Sequence, residues 1–277
     1  TISGFAEVKL FDQDRKMRLL SICLLALPLI ATSAQSQSED GIAWEVRGVW
    51  MVNRTQVVHR SDGIAPGSLL TSGDSTNASM LVLLPDGQRL LFECHDAYTC
   101  AQGFRVPALI SKPEDDAIEL FETVRAAMRQ PESSTTLLPS PTTTETEAIV
   151  ALQADGSILL RQALGGLPPG QYKMAVLDDS GQPLSERPLN WAGAHDNAQL
   201  PLSHAGIYRL RLFGSLGGER MRVLLLAESS ELYSSRQKEF AAAQKVLKEW
   251  NESFPGWPVH EWLQLYLRGL AQEPRRK

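Results

Sequence analysis

Two cysteines and a histidine stand within seven residues of one another, in Cys94-His95-Asp-Ala-Tyr-Thr-Cys100. An oxidising compartment would pair the two thiols, and the five residues between them are enough to turn the chain back and close a staple beside a strand. Zinc ligation by Cys94, His95 and Cys100 is the competing chemistry. Zinc takes four ligands in a tetrahedron, however, and no second Cys/His pair stands nearby. A redox dithiol wants Cys-x-x-Cys, a shorter spacing than this one. A disulfide is therefore the expected role of Cys94 and Cys100, with free thiols as the remaining alternative.

Other reactive residue types lack the spacing that chemistry requires. His260-Glu261 opens a helical stretch, but position 264 is Gln, so the His-Glu-x-x-His pattern of zinc proteases fails. Gly214-Ser-Leu-Gly-Gly218 lies between two strand-like runs, whereas a phosphate cradle joins a strand to a helix. Glu114, Asp115 and Asp116 could be imagined as catalytic carboxylates or a cation site. They have no partner cluster, and acids in a first helical turn complement the helix dipole, which is the preferred reading. His59, His195 and His204 are scattered near turns. Arg209 and Arg211 could form a ligand stripe, although alternate arginines on an exposed strand face usually serve solubility. A Ser-His-Asp set can assemble from distant positions, so the missing motif does not exclude an enzyme. On these residues the chain is read as non-enzymatic, with no catalytic, cofactor-binding or metal-binding residue and no cofactor. Asn53, Asn77 and Asn251 begin glycosylation triplets, which matter only in a eukaryotic source.

The elements that would position such groups begin after an export leader. The chain starts with Thr1, and residues 1–16 are read as an upstream segment outside the native protein, with Met17 as the start. Arg18 supplies a positive n-region, Leu19 to Ala31 an apolar h-region and Thr32-Ser-Ala34 small residues for cleavage, so residues 17–34 read as a signal peptide. The apolar run is shorter than the ~20 residues that a membrane span needs, and it contains Pro28. Cys23 falls too early in the leader for a lipoprotein cysteine. The formal net charge is −5. Removing the first 34 residues takes away four basic and three acidic side chains, leaving −6. A mildly acidic surface without a Lys/Arg block repels phosphate backbones, so nucleic acid is not an expected partner. No later segment is apolar enough to span a membrane, and the mature chain is expected to be periplasmic or secreted.

Residues 42–110 read as a first β domain. Ile42, Trp44 and Val46 alternate, as do Met80, Val82 and Leu84, and after Pro85-Asp-Gly-Gln88 the alternation resumes at Leu90, Phe92 and Cys94. Apolar residues at every second position, broken by Asp-Gly, predict a half-buried antiparallel hairpin. Gly67-Ser-Leu-Leu-Thr-Ser-Gly73, Ser75-Thr-Asn-Ala78 and Leu81-Val-Leu-Leu-Pro-Asp-Gly-Gln-Arg-Leu90 together resemble the periplasmic β domain of FecR-type proteins, over about residues 45–93. That resemblance implies an extracytoplasmic β module that meets protein partners. The family's cytoplasmic anti-sigma domain and membrane helix have no counterpart here, so transmembrane signalling is not carried over.

Residues 111–130 change to a helical period. Ser111-Lys-Pro-Glu114 resembles a capping box, and Ala117, Leu120, Phe121, Val124 and Met128 fall on one face. The Ser/Thr/Pro-rich stretch 131–147 reads as an extended linker, with an edge strand as the alternative. Residues 148–228 carry short strand candidates at 149–152, 158–160, 172–177, 207–213 and 221–226, separated by Gly/Asp/Pro turns. This spacing predicts a small β-sandwich. Ala205-Gly-Ile-Tyr208 resembles the lead into a late strand of immunoglobulin-like domains, where a tyrosine hydroxyl caps a corner, and that resemblance implies an immunoglobulin-like sandwich. Residues 230–273 read as a helical hairpin, with Phe240, Ala243, Leu247 and Trp250 on one helix and a wide stripe from Val259 to Leu270 on the other.

The fold class expected is thus mainly β: two small antiparallel β domains joined by a helix and linker, followed by a C-terminal helical hairpin. The expected function is an exported, non-enzymatic binding or assembly protein of the cell envelope, with a protein as its partner. The Trp250, Trp262, Tyr266 and Leu270 stripe is its candidate interaction surface, although packing onto the second β domain is the favoured fate of that stripe. A carbohydrate- or envelope-polysaccharide-binding module is the alternative, for which Trp44, Trp50 or Trp191 would line a shallow face. An enzyme with an unrecognised site is the third reading, which a pocket holding paired carboxylates or a His–acid pair would favour.

Overall fold

A computed structural model describes residues 40–73, 78–130 and 143–273. All of the described residues belong to one compact unit. The leader expected at 17–34 lies outside the described residues.

The first β region contains β1 (Gly41–Arg47), β2 (Trp50–Val52), β3 (Gln56–Val57), β4 (Gly63–Ile64), β5 (Leu69–Ser72), β6 (Ser79–Leu83) and β7 (Arg89–Glu93), then α1 (Ala97–Gln102) and β8 (Phe104–Arg105). These strands make two four-stranded sheets, β4-β1-β6-β7 and β3-β2-β5-β8, paired antiparallel throughout. The alternation in β6 sorts its side chains between two cores. Met80 and Val82 join Trp50, Leu70 and Phe92 between the sheets, while Leu83 faces the helices. The β6–β7 connection is the Asp86-Gly87 turn expected from the sequence, and Gly87 takes φ +90° there, a left-handed conformation that favours glycine.

A helix, α2 (Asp115–Met128), follows. Its N-cap is Glu114, which makes no side-chain cap bond, so the expected Ser111 capping box does not form. Ser111 lies a full three residues before the cap, out of position to serve the first turn, while Asp115 and Asp116 occupy that turn as expected.

The second β region comprises β9 (Thr144–Leu152), β10 (Ser157–Leu159), a 3-10 turn at Leu160–Gln162, β11 (Gly170–Asp178), β12 (Pro183–Trp191), β13 (Gln199–Pro201), β14 (Gly206–Gly214) and β15 (Glu219–Ser229). A five-stranded sheet has the order β12-β11-β14-β15-β9, and β10 pairs with β13 in a second small sheet. β9 runs parallel to β15, whereas the other pairs in the large sheet are antiparallel. Thr144–Glu147 therefore belongs to an edge strand and not to the linker, a place suited to its β-branched threonines. Residues 131–142 lie outside the described residues.

One face of the large sheet and the β10–β13 pair enclose Met174, Val176, Leu210, Leu212, Val223 and Trp191. The Tyr208 hydroxyl donates to the His204 carbonyl at 2.8 Å, the corner contact that the Ala205-Gly-Ile-Tyr208 lead suggested. The other face receives helices. α3 (Ser230–Ser253) and α4 (Val259–Gln272) form the C-terminal pair and contact β9 and β15, and α2 packs along α4. A helical layer over the sheet is what a two-sheet sandwich lacks. It follows from Ile149, Leu224 and Leu226, which put apolar side chains on that face as well. Ile42, Trp44 and Leu83 of the first β region share the same core as α2, α3 and α4.

Candidate functional site

The stripe of the C-terminal helices is inside the molecule. Trp250 is 8% exposed, Trp262 0%, Tyr266 2% and Leu270 2%. These four residues are therefore core and not an interaction surface. The physical reason is that α4 sits between α2 and the large sheet, so its wide apolar face is covered from both sides. Trp262 lies at the centre, with ring centroids 5.7 Å from Trp44, 4.9 Å from Phe121 and 5.0 Å from Trp257. Trp44, Trp50 and Trp191 are buried too, so they do not line a shallow face for saccharide.

Cys94 and Cys100 are a bonded pair with Cα atoms 5.4 Å apart, both buried in the first β core. The segment between them is not a plain loop. It holds the start of α1, whose N-cap Asp96 accepts from the Thr99 backbone N–H at 2.8 Å and from its hydroxyl at 2.8 Å. Those bonds from Thr99 hold the Asp96 carboxyl below the ordinary carboxylate range.

The polar groups gather where α4 crosses the large sheet. His260 and Gln264 lie over Glu147 of β9, with His260 Nδ1 3.3 Å from both carboxylate oxygens and Gln264 Nε2 3.4 Å from one. The Glu147 side chain is only 4% exposed. One helical turn on from Gln264, Arg268 Nε is 3.4 Å from Asp179 Oδ1, beyond the end of β11. The i, i+4, i+8 row His260, Gln264, Arg268 thus marks the flank of α4 across the strands. The Glu147 hydrogen bond raises the His260 pKa, and burial opposes it without reversing the shift.

Beyond this flank the helix side of the sheet continues uncovered. Register places Glu186, Ala175, Arg211, Arg222 and Glu145 in one row across five strands, and Pro188, Lys173 and Phe213 in the next. Glu219 reaches Arg211 and Arg222 at 2.6 Å each. Burial pushes the Glu219 carboxyl up, but the bonds from Arg222 and Arg211 outweigh it and hold the group below its usual range. Lys173 pairs with Glu186 at 2.5 Å, and the Arg211 guanidinium lies over the Phe213 ring, 5.1 Å from its centroid. A groove of about 750 Å³ opens here, lined among others by Gln171, Lys173, Glu186, Pro188, Asn190 and Phe213.

A smaller cavity of about 330 Å³ holds Asp178, Asp179, Ser180, His204 and Arg268. It contains both carboxylates and an imidazole, the set that an enzyme reading would want, yet each group has a structural task. Asp178 accepts from the Ser180 hydroxyl at 2.7 Å and the Gln182 N–H at 2.8 Å, closing the β11–β12 turn. Its pKa is lowered by those bonds, the opposite of what a general acid needs. Asp179 faces Arg209 and Arg268, and His204 Nδ1 is 2.7 Å from the neighbouring Ser203 hydroxyl.

Of the sequence candidates, Arg209 and Arg211 do share a face, but Arg209 pairs with Asp179, which also faces Arg268 of α4, and Arg211 lies over Phe213 at the groove. Sequence reasoning missed Gln171, Lys173, Glu186, Pro188, Asn190 and Phe213. Phe213 continues the Arg209, Arg211 alternation and could have been placed on that face. β12 had no signal, because Pro183, Pro188 and its charged residues hide an edge strand.

No family model matches the chain, and no match to a curated protein was found. Among the described residues, no helix is long and apolar enough to cross a membrane, and no three His, Cys, Asp or Glu side chains are grouped to hold a metal ion.

Proposed function

We propose that the chain is an exported, non-enzymatic protein of the cell envelope that acts by binding or assembly, and that the open face of its large sheet is the surface it uses. The observation that carries the reading is the bare groove over β11, β12 and β14. It is a concavity floored by the sheet, and its side chains do not pack against α4. Export is supported by the leader-like run at 17–34 and by the Cys94–Cys100 pair, which suits an oxidising compartment. The FecR-type resemblance over residues 45–93 supports an extracytoplasmic β module in the same chain.

The test is expression with the leader intact, followed by cell fractionation and crosslinking. The expected result is a processed chain outside the cytoplasm, with Cys94 and Cys100 resistant to alkylation and with an envelope component captured. Charge reversal at Lys173 or deletion of the Phe213 ring should lose that component. A chain retained in the cytoplasm with two reactive thiols would overturn export. Capture that ignores both substitutions would overturn the choice of surface.

A further inference from the structure

We propose that the groove over β11, β12 and β14 binds a small organic dianion, a molecule carrying two carboxylate or two phosphate groups. This names the ligand class for the binding surface proposed above and rests on that reading. The volume, about 750 Å³, falls in the range of ~300–1,000 Å³ over which protein sites hold small ligands.

Charge selects the ligand. Lys173 and Arg187 line the groove against one carboxylate, Glu186. A third cation, Arg220, stands beside the lining residue Gly214, with its Nε 3.2 Å from the place a Cβ on that glycine would take. Glu186 is engaged by Lys173 at 2.5 Å, and Glu219, the next acid, by Arg211 and Arg222 at 2.6 Å each. Among the described residues no carboxylate pairs with Arg187 or Arg220. The Arg187 guanidinium gives one N–H to the Gln199 carbonyl at 2.6 Å, and burial pushes its pKa down with no acid to oppose the shift. The groove is thus positive on a chain whose formal net charge is −5.

Spacing sets the number of anionic groups. Arg187 belongs to β12 and Arg220 stands beside the end of β14, two strand spacings away or about 10 Å across the sheet. A guanidinium fork matches one carboxylate or phosphate, so two separated forks call for two such groups on one ligand. Ring and backbone exclude the nearest competitors. Phe213 lies under the Arg211 guanidinium, 5.1 Å from its centroid, so that face is not open to a sugar or a nucleobase. Strand addition by an acidic peptide is opposed by Pro188, which sits in edge strand β12 and has no N–H to give.

The experiment titrates the full chain with adipate and with a hexose bisphosphate, beside acetate and a hexose monophosphate, followed by NMR and calorimetry. At least one dianion should bind saturably and about tenfold or more tighter than its monoanion, with shifts at Lys173, Arg187 and Gly214. Which dianion binds tells carboxylate from phosphate, and either supports the proposal. Arg220→Ala, and separately Arg187→Gln, should weaken that binding by about tenfold or more. Arg220 is exposed, so its variant keeps the fold if Arg187→Gln does not. Arg54→Ala removes the same charge from the β2–β3 turn, outside the groove, and should bind as the parent does. No saturable binding by either dianion overturns the proposal. So does binding that monoanions match, that both groove variants leave intact, or that Arg54→Ala weakens equally. If crosslinking captures a protein at this groove while the dianions stay silent, the dianion inference fails and the binding-protein reading stands. If a dianion binds but the chain is not exported, the envelope reading fails and the dianion site stands.

Discussion

The Trp257 indole N–H donates to the Gly87 carbonyl oxygen at 2.8 Å across 170 residues of chain. The tip of the β6–β7 hairpin is held there against Trp250, whose ring leaves no room for a side chain. A Cβ on Gly87 would lie 2.5 Å from Trp250 Cδ1. Arg89 on the same hairpin donates to the Pro255 carbonyl at 2.7 Å. The first β region and the turn between α3 and α4 are therefore locked together by backbone contacts as well as by core packing.

Gly87→Ala should lower stability by about 1–3 kcal/mol, through overpacking against Trp250 and a left-handed backbone that alanine resists. Urea unfolding followed by tryptophan fluorescence reads it. Gly217→Ala, also at positive φ but with open space around the position, isolates the backbone share. Equal losses in the two variants would mean that the Trp250 contact contributes nothing.

Gly269 tests the α2–α4 contact, because two effects of opposite sign compete there. Alanine is the better helix former by about 1 kcal/mol. Its Cβ, however, would lie 2.5 Å from Thr123 Cγ2 and 3.0 Å from the Thr123 carbonyl oxygen. Steric conflict with backbone should win, and Gly269→Ala should melt lower than the parent. A higher melting point would show that α2 and α4 can separate freely.

Trp262→Ala removes a fully buried ring and should cost about 3–5 kcal/mol, enough to threaten a marginal fold. Where the variant still folds, capture of partners should be unchanged, because this ring is core and not surface. Lost capture with an unchanged melting point would overturn that assignment.

The Glu147–His260 contact predicts a pH dependence. The folded-state pKa of His260 is raised above its ordinary value, so the pair stabilises the fold fully below that ordinary value of about 6.5. The contribution is lost as pH rises through the raised folded value. Glu145 and Glu261 also favour the charged imidazole, and Glu145 is itself paired with Arg222 at 3.9 Å. Denaturation midpoints measured between about pH 6 and pH 8 should fall for the parent and fall less for His260→Gln. Parallel profiles would remove the pair from the account.

Reduction of Cys94–Cys100, or the double serine variant, should cost about 2 kcal/mol by the loop-entropy model for so short a loop. Mass spectrometry after alkylation in denaturant checks the bond. Uptake of two labels without reductant would show it absent.

The sequence by itself determined what depends on local periodicity. The alternation at Met80, Val82 and Leu84, the helical face at Leu120, Phe121 and Val124, and the two C-terminal helices all stand where the residue spacing placed them. So does the Tyr208 corner, whose hydroxyl reaches only four residues back. Tertiary structure alone decided what the apolar stripes face. The spacing of Trp262, Tyr266 and Leu270 requires burial but is indifferent to the partner that supplies it. Only the docking of α2, Trp44 and the sheet turned that stripe from a candidate surface into core. The groove was hidden for the complementary reason. Gln171, Asn190 and Phe213 are ordinary residues on three strands, and they become neighbours only through the pairing of β12, β11 and β14, an edge whose prolines erase the periodic signal.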